Sequence, residues 1–375
     1  MQRREFLKKA GIGAGAALAA SPVLAQSGGL PSISWRMASS FPKSLDTLYG
    51  GADFFTKRVA ALTGNKFQIK LFAPGEIVPA LQVLDGVQNG TIECGHTAGY
   101  YYVGKNPAFA FDTTLPFGLN TRQQNAWMYG GGGLELIRDL YKEYGIVNFP
   151  GGNTGAQMGG WFRKEIKGVA DLKGLKMRIP GLQGQMLAKL GVVPQQIAGG
   201  DIYTALEKGT MDAAEWVGPY DDQKLGFVKV AKFYYYPGFW EGTAQLSVIV
   251  NQKKWDELPA EYKAAVESAS AETNLHITAQ YDTKNTQALR QLIGEGAQLR
   301  AFPRPVMEAA YKAAFQLYDE LAEKSPQFKR IYGPWRAFRE NEYIWFRVAE
   351  HSFDNFVYSQ SAAEQKGGAK PAKKK

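Results

Sequence analysis

Three stretches of the chain place charged side chains where an open α/β sheet keeps its ligands. Leu175, Met177 and Ile179 alternate with Lys176 and Arg178, and Pro180-Gly181 ends the run. That pattern is a half-buried strand with Arg178 on its polar side at the carboxyl edge, outside which such sheets bind ligands. A planar guanidinium meets a carboxylate through two parallel hydrogen bonds, so the chemistry on offer is capture of an organic acid. Glu215-Trp216 follows the apolar pair Ala213-Ala214 and precedes Gly218-Pro219, which makes a second strand edge. Phe239-Trp240-Glu241-Gly242 repeats the aromatic, Trp and acid ahead of a strand from Leu246 to Val250. Taken singly, an arginine so placed also reads as a surface charge, each acid–Trp pair as a structural corner, and all three together as a salt-bridge cluster.

Catalytic patterns are missing from the rest of the chain. The body contains no G-x-S-x-G, P-loop or H-E-x-x-H motif. His96, His276 and His351 lie far apart and lack partners four residues away, so they read as core or solvated histidines. The single cysteine, Cys94, rules out an intramolecular disulfide and a cysteine-built zinc site. Gly130 to Gly133 has no following Lys-Ser/Thr and reads as a loop rather than a phosphate cradle. The formal charge of +9 is carried by the ends, because the first residues contribute +3 and the last lysines +5. With the body near neutral, nucleic acid is not an expected partner.

The elements that must position these residues are alternating strands and helices. Phe67, Ile69 and Leu71 alternate with Lys66, Gln68 and Lys70 as a second half-buried strand, and helix-like sequence follows both strands. This order predicts α/β lobes, and a body of about 340 residues exceeds what one core usually covers. A weak internal echo supports two lobes of similar build. Gly75-Glu-Ile-Val-Pro-Ala-Leu81 matches Gly200-Asp-Ile-Tyr-Thr-Ala-Leu206, and each runs on to a Gly-Thr-apolar-acid, Gly90 to Glu93 and Gly209 to Asp212. From Leu258 to Arg300 the composition predicts a long helix with a Pro259 start and Gly294/Gly296 at the stop, and from Val306 to Lys324 another. Pro334 to Tyr358 carries more aromatic surface than a chain-end helix needs, so it packs across a lobe or onto a second subunit.

The ends set the compartment. Arg3-Arg4 precede Phe6-Leu7-Lys8, then an apolar small-residue run and an exit site near Ala25. Such a segment reads as a twin-arginine signal peptide over residues 1–25, and the expected location is the periplasm. No later run is long and apolar enough to span a bilayer.

Asp171-Leu-Lys-Gly-Leu-Lys-Met-Arg178-Ile-Pro-Gly181 resembles the signature segment of the extracytoplasmic binding proteins of TRAP transporters, the DctP-type family. Asn89-Gly-Thr-Ile-Glu93 and the stretch from Tyr203 to Trp216 resemble its other recurrent segments, and the likeness runs from about Ile33 to Phe356. Gln157 with Glu215-Trp216 and Trp240-Glu241 is similar to the branch that binds 2-oxoacids or 2-hydroxyacids with a cation, as a domain-swapped dimer. The resemblance implies a periplasmic-binding-protein-like, Venus-flytrap fold with a long hinge-spanning helix and a C-terminal helical arm. It implies that Arg178 clamps the substrate carboxylate, that Glu215, the Trp216 carbonyl, Gln157 and Glu241 hold a Na⁺ or Ca²⁺ ion bridging to substrate, and that Asn153, Tyr101 and Tyr102 are further contacts. The register of the Tyr100 to Tyr102 run is open. Implied partners are a small organic anion, the TRAP membrane permease subunits and a second copy of the chain.

The expected division is lobe I over 26–153 and 243–275, lobe II over 154–242 and 276–333, a dimerisation helix over 334–360 and a basic tail over 361–375. Hinge crossings are expected near Gly151 to Gln157 and Trp240 to Ala244. The expected function is capture of a small organic acid without chemical change to it. A periplasmic sensor or adaptor for the same anion, and an enzyme exported by the twin-arginine route, are the alternatives.

Overall fold

The computed structural model describes residues 29–367, and the expected signal peptide and the lysine tail beyond 367 lie outside them. Two sheets organise the chain. The first is built from β1 (Ile33–Ser39), β2 (Phe67–Phe72), β3 (Cys94–Thr97), β4 (Ile146–Asn153) and the late strand Gln245–Asn251. The second holds β5 (Gly160–Phe162), β6 (Lys176–Arg178), β7 (Val193–Gln195), β8 (Ala213–Ala214), β9 (Phe233–Tyr236) and β11 (Gln298–Ala301), and the late strand of the first sheet is β10. Their orders are β2-β1-β3-β10-β4 and β11-β9-β5-β8-β6-β7. In the first sheet β1 runs parallel to β2 and β3, whereas β10 is antiparallel to β3 and β4. Alternation in β2 puts Phe67 and Ile69 into the core and leaves Gln68 and Lys70 exposed, as the period-two pattern requires.

The chain crosses between the sheets in two neighbouring segments. β4 leads through residues 154–159 into β5, and residues 237–244 lead from β9 back to β10. These crossings are zipped together, with Thr154 N–H donating to Ala244 O at 3.1 Å and Gln157 N–H to Glu241 O at 3.0 Å. A third connection is the 35-residue helix Ala260–Gly294, which packs on β4 and on helix Leu48–Leu62 and further along meets helix Pro219–Leu225. The fold is therefore the expected two-lobed α/β arrangement with a long helix spanning the hinge.

The internal echo corresponds to real repetition of form. In each copy a 3₁₀ turn leads into a six-residue helix, Val83–Gln88 or Ile202–Glu207, and then a strand, β3 or β8. Gly90 at φ 78° and Gly209 at φ 71° make the left-handed turn in both copies. The long helix runs from Ala260 to Gly294, between the expected Pro259 start and Gly294/Gly296 stop, and residues 298–301 after it form β11 beside β9.

The C-terminal segment divides in two. Helix Pro326–Phe346 begins by burying Phe328, Ile331, Tyr332 and Trp335 against the body. Ile344, Trp345, Val348, Phe353, Phe356 and Tyr358 are instead all more than half exposed as the helix runs on to Gly367.

Candidate functional site

Arg178 is the last residue of β6, and 1% of it is exposed. Its Nη1 donates to the Glu215 carbonyl at 2.6 Å and to Glu215 Oε2 at 3.1 Å, while Nε donates to Ile197 O at 3.2 Å. Because β6 lies parallel to β8 with Arg178 opposite Ala214, the two strand edges read from sequence are adjacent, and Glu215 emerges beside the guanidinium. Trp216 lies under that guanidinium at 5.0 Å and packs on Gly199, where a Cβ would come within 2.3 Å of the indole. Gly181 is equally constrained. At φ 62° it bends the chain from β6 into helix Gly181–Ala188, and a Cβ there would meet Gln183 Oε1 at 2.5 Å.

The hinge supplies the second half of the site. Gln157 and Glu241 sit on the two zipped crossings, both buried. Glu241 Oε1 accepts from Gln183 Nε2 at 3.0 Å, and Gln157 Nε2 donates to Thr154 Oγ1 at 3.1 Å. Neither glutamate pairs with lysine, and Lys224 instead binds Asp46 at 2.6 Å. On these residues four buried acceptors remain without a donor, Gln157 Oε1, Gln183 Oε1, Glu215 Oε1 and Glu241 Oε2, and Thr114, Asn148, Gln245 and Asn274 keep further unmet oxygens elsewhere in the fold. Unmet buried acceptors are rare in folded proteins, and several together call for a shared electron-poor partner.

Charge points the same way. Burial pushes the Glu215 carboxyl up to about 8 although Arg178 opposes it, and it pushes Glu241 well above the ordinary carboxylate range, with the Glu215 charge adding to the shift. Burial favours the protonated acids where nothing positive is present, and holding both as carboxylates beside one guanidinium would take a bound cation. Among the described residues no three His, Cys, Asp or Glu side chains converge. Two carboxylates with neutral amide oxygens would suit Na⁺ or Ca²⁺ better than a transition metal.

The structure sorts the remaining expected contacts. Tyr100 and Tyr101 line a cavity with Phe41, Leu48, Thr154, Gln157, Trp216, Val217, Ala244 and Leu246. Burial raises Tyr101 to about 12, so its hydroxyl stays a donor. Tyr102 does not belong to this wall. Its hydroxyl is bound to Thr97 Oγ1 at 2.7 Å and accepts from Leu84 N–H at 3.2 Å, because the 3₁₀ turn Gly99–Tyr102 sends successive side chains in different directions. Asn153 is likewise outside the cavity wall. Its Oδ1 accepts from Gly155 N–H at 2.9 Å, Thr243 Oγ1 at 2.8 Å and Thr121 Oγ1 at 3.3 Å, which makes it a brace for the hinge. Gln183 was missed from sequence, since nothing in Gly-Leu-Gln-Gly-Gln sets it apart from an ordinary helix start. Of the histidines, His96 is buried against Gly151 O at 3.0 Å and held down to about 4 by burial, and His276 stacks on Phe54 at 4.1 Å.

Residues 38–325 match the model of the bacterial extracellular solute-binding proteins, family 7, the DctP family. A monocarboxylate 2-oxoacid-binding periplasmic protein of Nostoc sp. is 52% identical over 363 residues, covering 96% of this chain and 100% of its own. A TRAP transporter solute-binding protein from Bordetella bronchiseptica is 57% identical with a TM-score of 0.88 over 89% of this chain and 99% of its own; it was solved as a mixed-occupancy dimer with copurified calcium and picolinate. A TRAP periplasmic solute-binding protein from Pseudoalteromonas atlantica, with bound sodium and pyruvate, is 39% identical with a TM-score of 0.84 over 86% and 99%. The strand-edge arginine, the oxygen-lined hinge and the family match over most of the chain lead to one assignment: this chain belongs to the DctP family of TRAP-transporter solute-binding proteins.

Proposed function

We propose that this protein captures a 2-oxo monocarboxylate such as pyruvate in the periplasm, together with a Na⁺ or Ca²⁺ ion, and delivers it unchanged to the membrane permease of a TRAP transporter. The observation that carries this reading is the buried Arg178–Glu215 pair together with the buried donorless oxygens of Glu215, Glu241, Gln183 and Gln157. A 2-oxoacid presents a carboxylate oxygen and a keto oxygen in a five-membered bite, and a hard cation takes both while completing its shell from Glu215, Glu241, Gln157 and the Trp216 carbonyl. Arg178 then meets the other face of the carboxylate, and the Tyr101 hydroxyl is a further donor. The relatives' ligands and ions support the same chemistry. Capture and release need only differential affinity for open and closed lobes, so no bond-making step is assigned to these residues.

Lobe I over 26–153 and 243–275 and lobe II over 154–242 and 276–333 move about the zipped crossings in this reading. Asn153 supports the site indirectly, by fixing the hinge that carries Gln157. The exposed apolar run from Ile344 to Tyr358 is the contact by which two copies associate. Sedimentation at micromolar concentration should give a dimer, and a chain ending at Tyr343 a monomer; a wild-type monomer would refute this association.

Calorimetric titration of pyruvate into protein stripped of sodium and calcium tests the ligand reading. Affinity should fall at least ten-fold and return when either ion is restored. Full affinity without any ion would mean that substrate meets the protein directly.

A further inference from the structure

Helix Leu48–Leu62 follows β1 of the first sheet and starts without a side-chain cap. Thr47 is its N-cap residue, where a threonine hydroxyl usually accepts from the amides of the first turn, yet no such bond is made. The hydroxyl is spent elsewhere. Thr47 Oγ1 donates at 2.6 Å to Asp221 Oδ1, on helix Pro219–Leu225 between β8 and β9 of the second sheet. Thr47 is 1% exposed and Asp221 0%, so the bond is dry. It joins elements of the two sheets outside the zipped crossings.

The receiving side is organised by its own contacts. Tyr281 OH of the hinge-spanning helix donates to Asp221 Oδ2 at 2.7 Å, and Tyr220 N–H donates to Asn285 Oδ1 at 3.0 Å. The ammonium groups of Lys224 and Lys284 lie 5.0 and 4.8 Å from the centre of the Tyr220 ring. None of these contacts needs a residue of the first sheet. Asp46 enters this socket beside Thr47, binding Lys224 at 2.6 Å and Lys284 at 2.9 Å and accepting from Tyr220 OH at 2.9 Å. One carboxylate between two ammonium groups offsets their repulsion, so a filled socket is favoured over an empty one. The Asp46 side chain is about half exposed, which opens its pairs to screening by salt, whereas the Thr47–Asp221 bond is sheltered.

We propose that Asp46-Thr47 is the latch of the closed protein, seated in the socket of Tyr220, Asp221, Lys224, Tyr281 and Lys284, and that it sets how fast a captured acid leaves. This rests on the ligand reading above and on the lobe division given there, in which the latch belongs to lobe I and the socket to lobe II. None of these residues lines the cavity, so they are positioning residues that hold the lobes together around Arg178 and the hinge oxygens. The ligand-free protein stands open in this reading, with the latch unmade. Apparent affinity scales with the fraction of protein that can close, so a weakened latch lowers it through the release rate and leaves the first encounter with the acid alone.

The test is calorimetric and stopped-flow binding of pyruvate with calcium present. Thr47→Val keeps the side-chain shape but leaves a buried Asp221 oxygen without its donor, and should raise the dissociation rate roughly ten-fold with the association rate unchanged. The melting temperature of the ligand-free variant should equal that of wild type, while that of the pyruvate-bound variant falls; a bond that only held the fold together would lower both. Thr47→Ser, which restores the hydroxyl, should restore the rate. Asp46→Asn should raise dissociation by roughly three-fold and flatten its increase with added tetramethylammonium chloride, a salt that brings no competing small cation. A wild-type dissociation rate in folded Thr47→Val, or equal falls in the two melting temperatures, would overturn the latch while leaving the ligand reading intact. A wild type that gives no heat with pyruvate would overturn the ligand reading, and the latch with it.

Discussion

Five carboxylates are buried among the described residues, and they fall into two groups that burial alone does not separate. Asp112 accepts from Ser247 Oγ at 2.7 Å, Tyr141 OH at 2.7 Å, Gln245 Nε2 at 3.3 Å and Asn148 Nδ2 at 3.4 Å. Asp222 accepts from Tyr234 OH at 2.6 Å and Trp161 Nε1 at 3.0 Å, and Asp221 from Thr47 and Tyr281. Desolvation raises all three, to about 6 for Asp112 and Asp221 and about 7 for Asp222, yet neutral donors satisfy both oxygens of each. Glu215 and Glu241 are raised as well, but each keeps one oxygen that no protein group meets. Among the carboxylates, then, a perturbed pKa marks burial, and what sets Glu215 and Glu241 apart is an oxygen without a donor.

That contrast predicts which property each acid controls. The largest effect should come from the partner of the unmet group. Arg178→Ala should abolish measurable pyruvate binding, since truncating one member of a buried charge pair costs about 2–5 kcal/mol of affinity. Near-normal affinity in a mutant folded by circular dichroism would remove Arg178 from the site. Next in size, Glu215→Gln should weaken pyruvate at least ten-fold and flatten its dependence on added sodium or calcium, with the melting temperature unchanged or higher because a buried charge is lost. An ion dependence equal to wild type would move the cation elsewhere.

Asp112→Ala should reverse the pattern, with stability falling by about 1–3 kcal/mol as its donors are orphaned and the order of preference among 2-oxoacids kept. A change in that order would break the distinction between the two groups. The smallest effect is in pH. Asp112 binds its proton more tightly folded than unfolded, so the native state holds a proton the unfolded chain has lost between about pH 4 and pH 6. Its contribution to stability is therefore fully present below the unfolded value and is lost as pH rises through about 6; above that it is flat. Tyr141, the titratable group facing it, stays protonated throughout. Asp112→Asn should reduce the fall in melting temperature across that window, and an unaltered slope would assign it to other groups.

Much of this was legible in the residues. Alternation found β2 and the strand of Arg178, and the acid–Trp pairs found both glutamates, because strand edges and sharp corners leave local signatures. Gln183 left none, since its role depends on Gly181 bending the helix start toward Glu241 across 58 residues of sequence. Three consecutive tyrosines could not be told apart because only the 3₁₀ turn decides which of them face the cavity. The two glycines gave the end of the long helix, but the four-residue β11 after them is too short to show a pattern, and its strand form comes from pairing with β9. The aromatic C-terminal stretch looked uniform, yet Trp335 is a core residue and Trp345 is not.

In the proposed reading the zipped crossings make the binding protein a lever whose fulcrum is also its ion seat. Gln157 and Glu241 stand on the pivot, where opening displaces atoms least, and Glu215 stands on the arm that carries Arg178. In that reading, swinging the arms apart breaks the Thr47–Asp221 and Asp46–Lys224 contacts between them before it disturbs the pivot, so the protein releases the acid and can keep its ion seat loaded for the next turn.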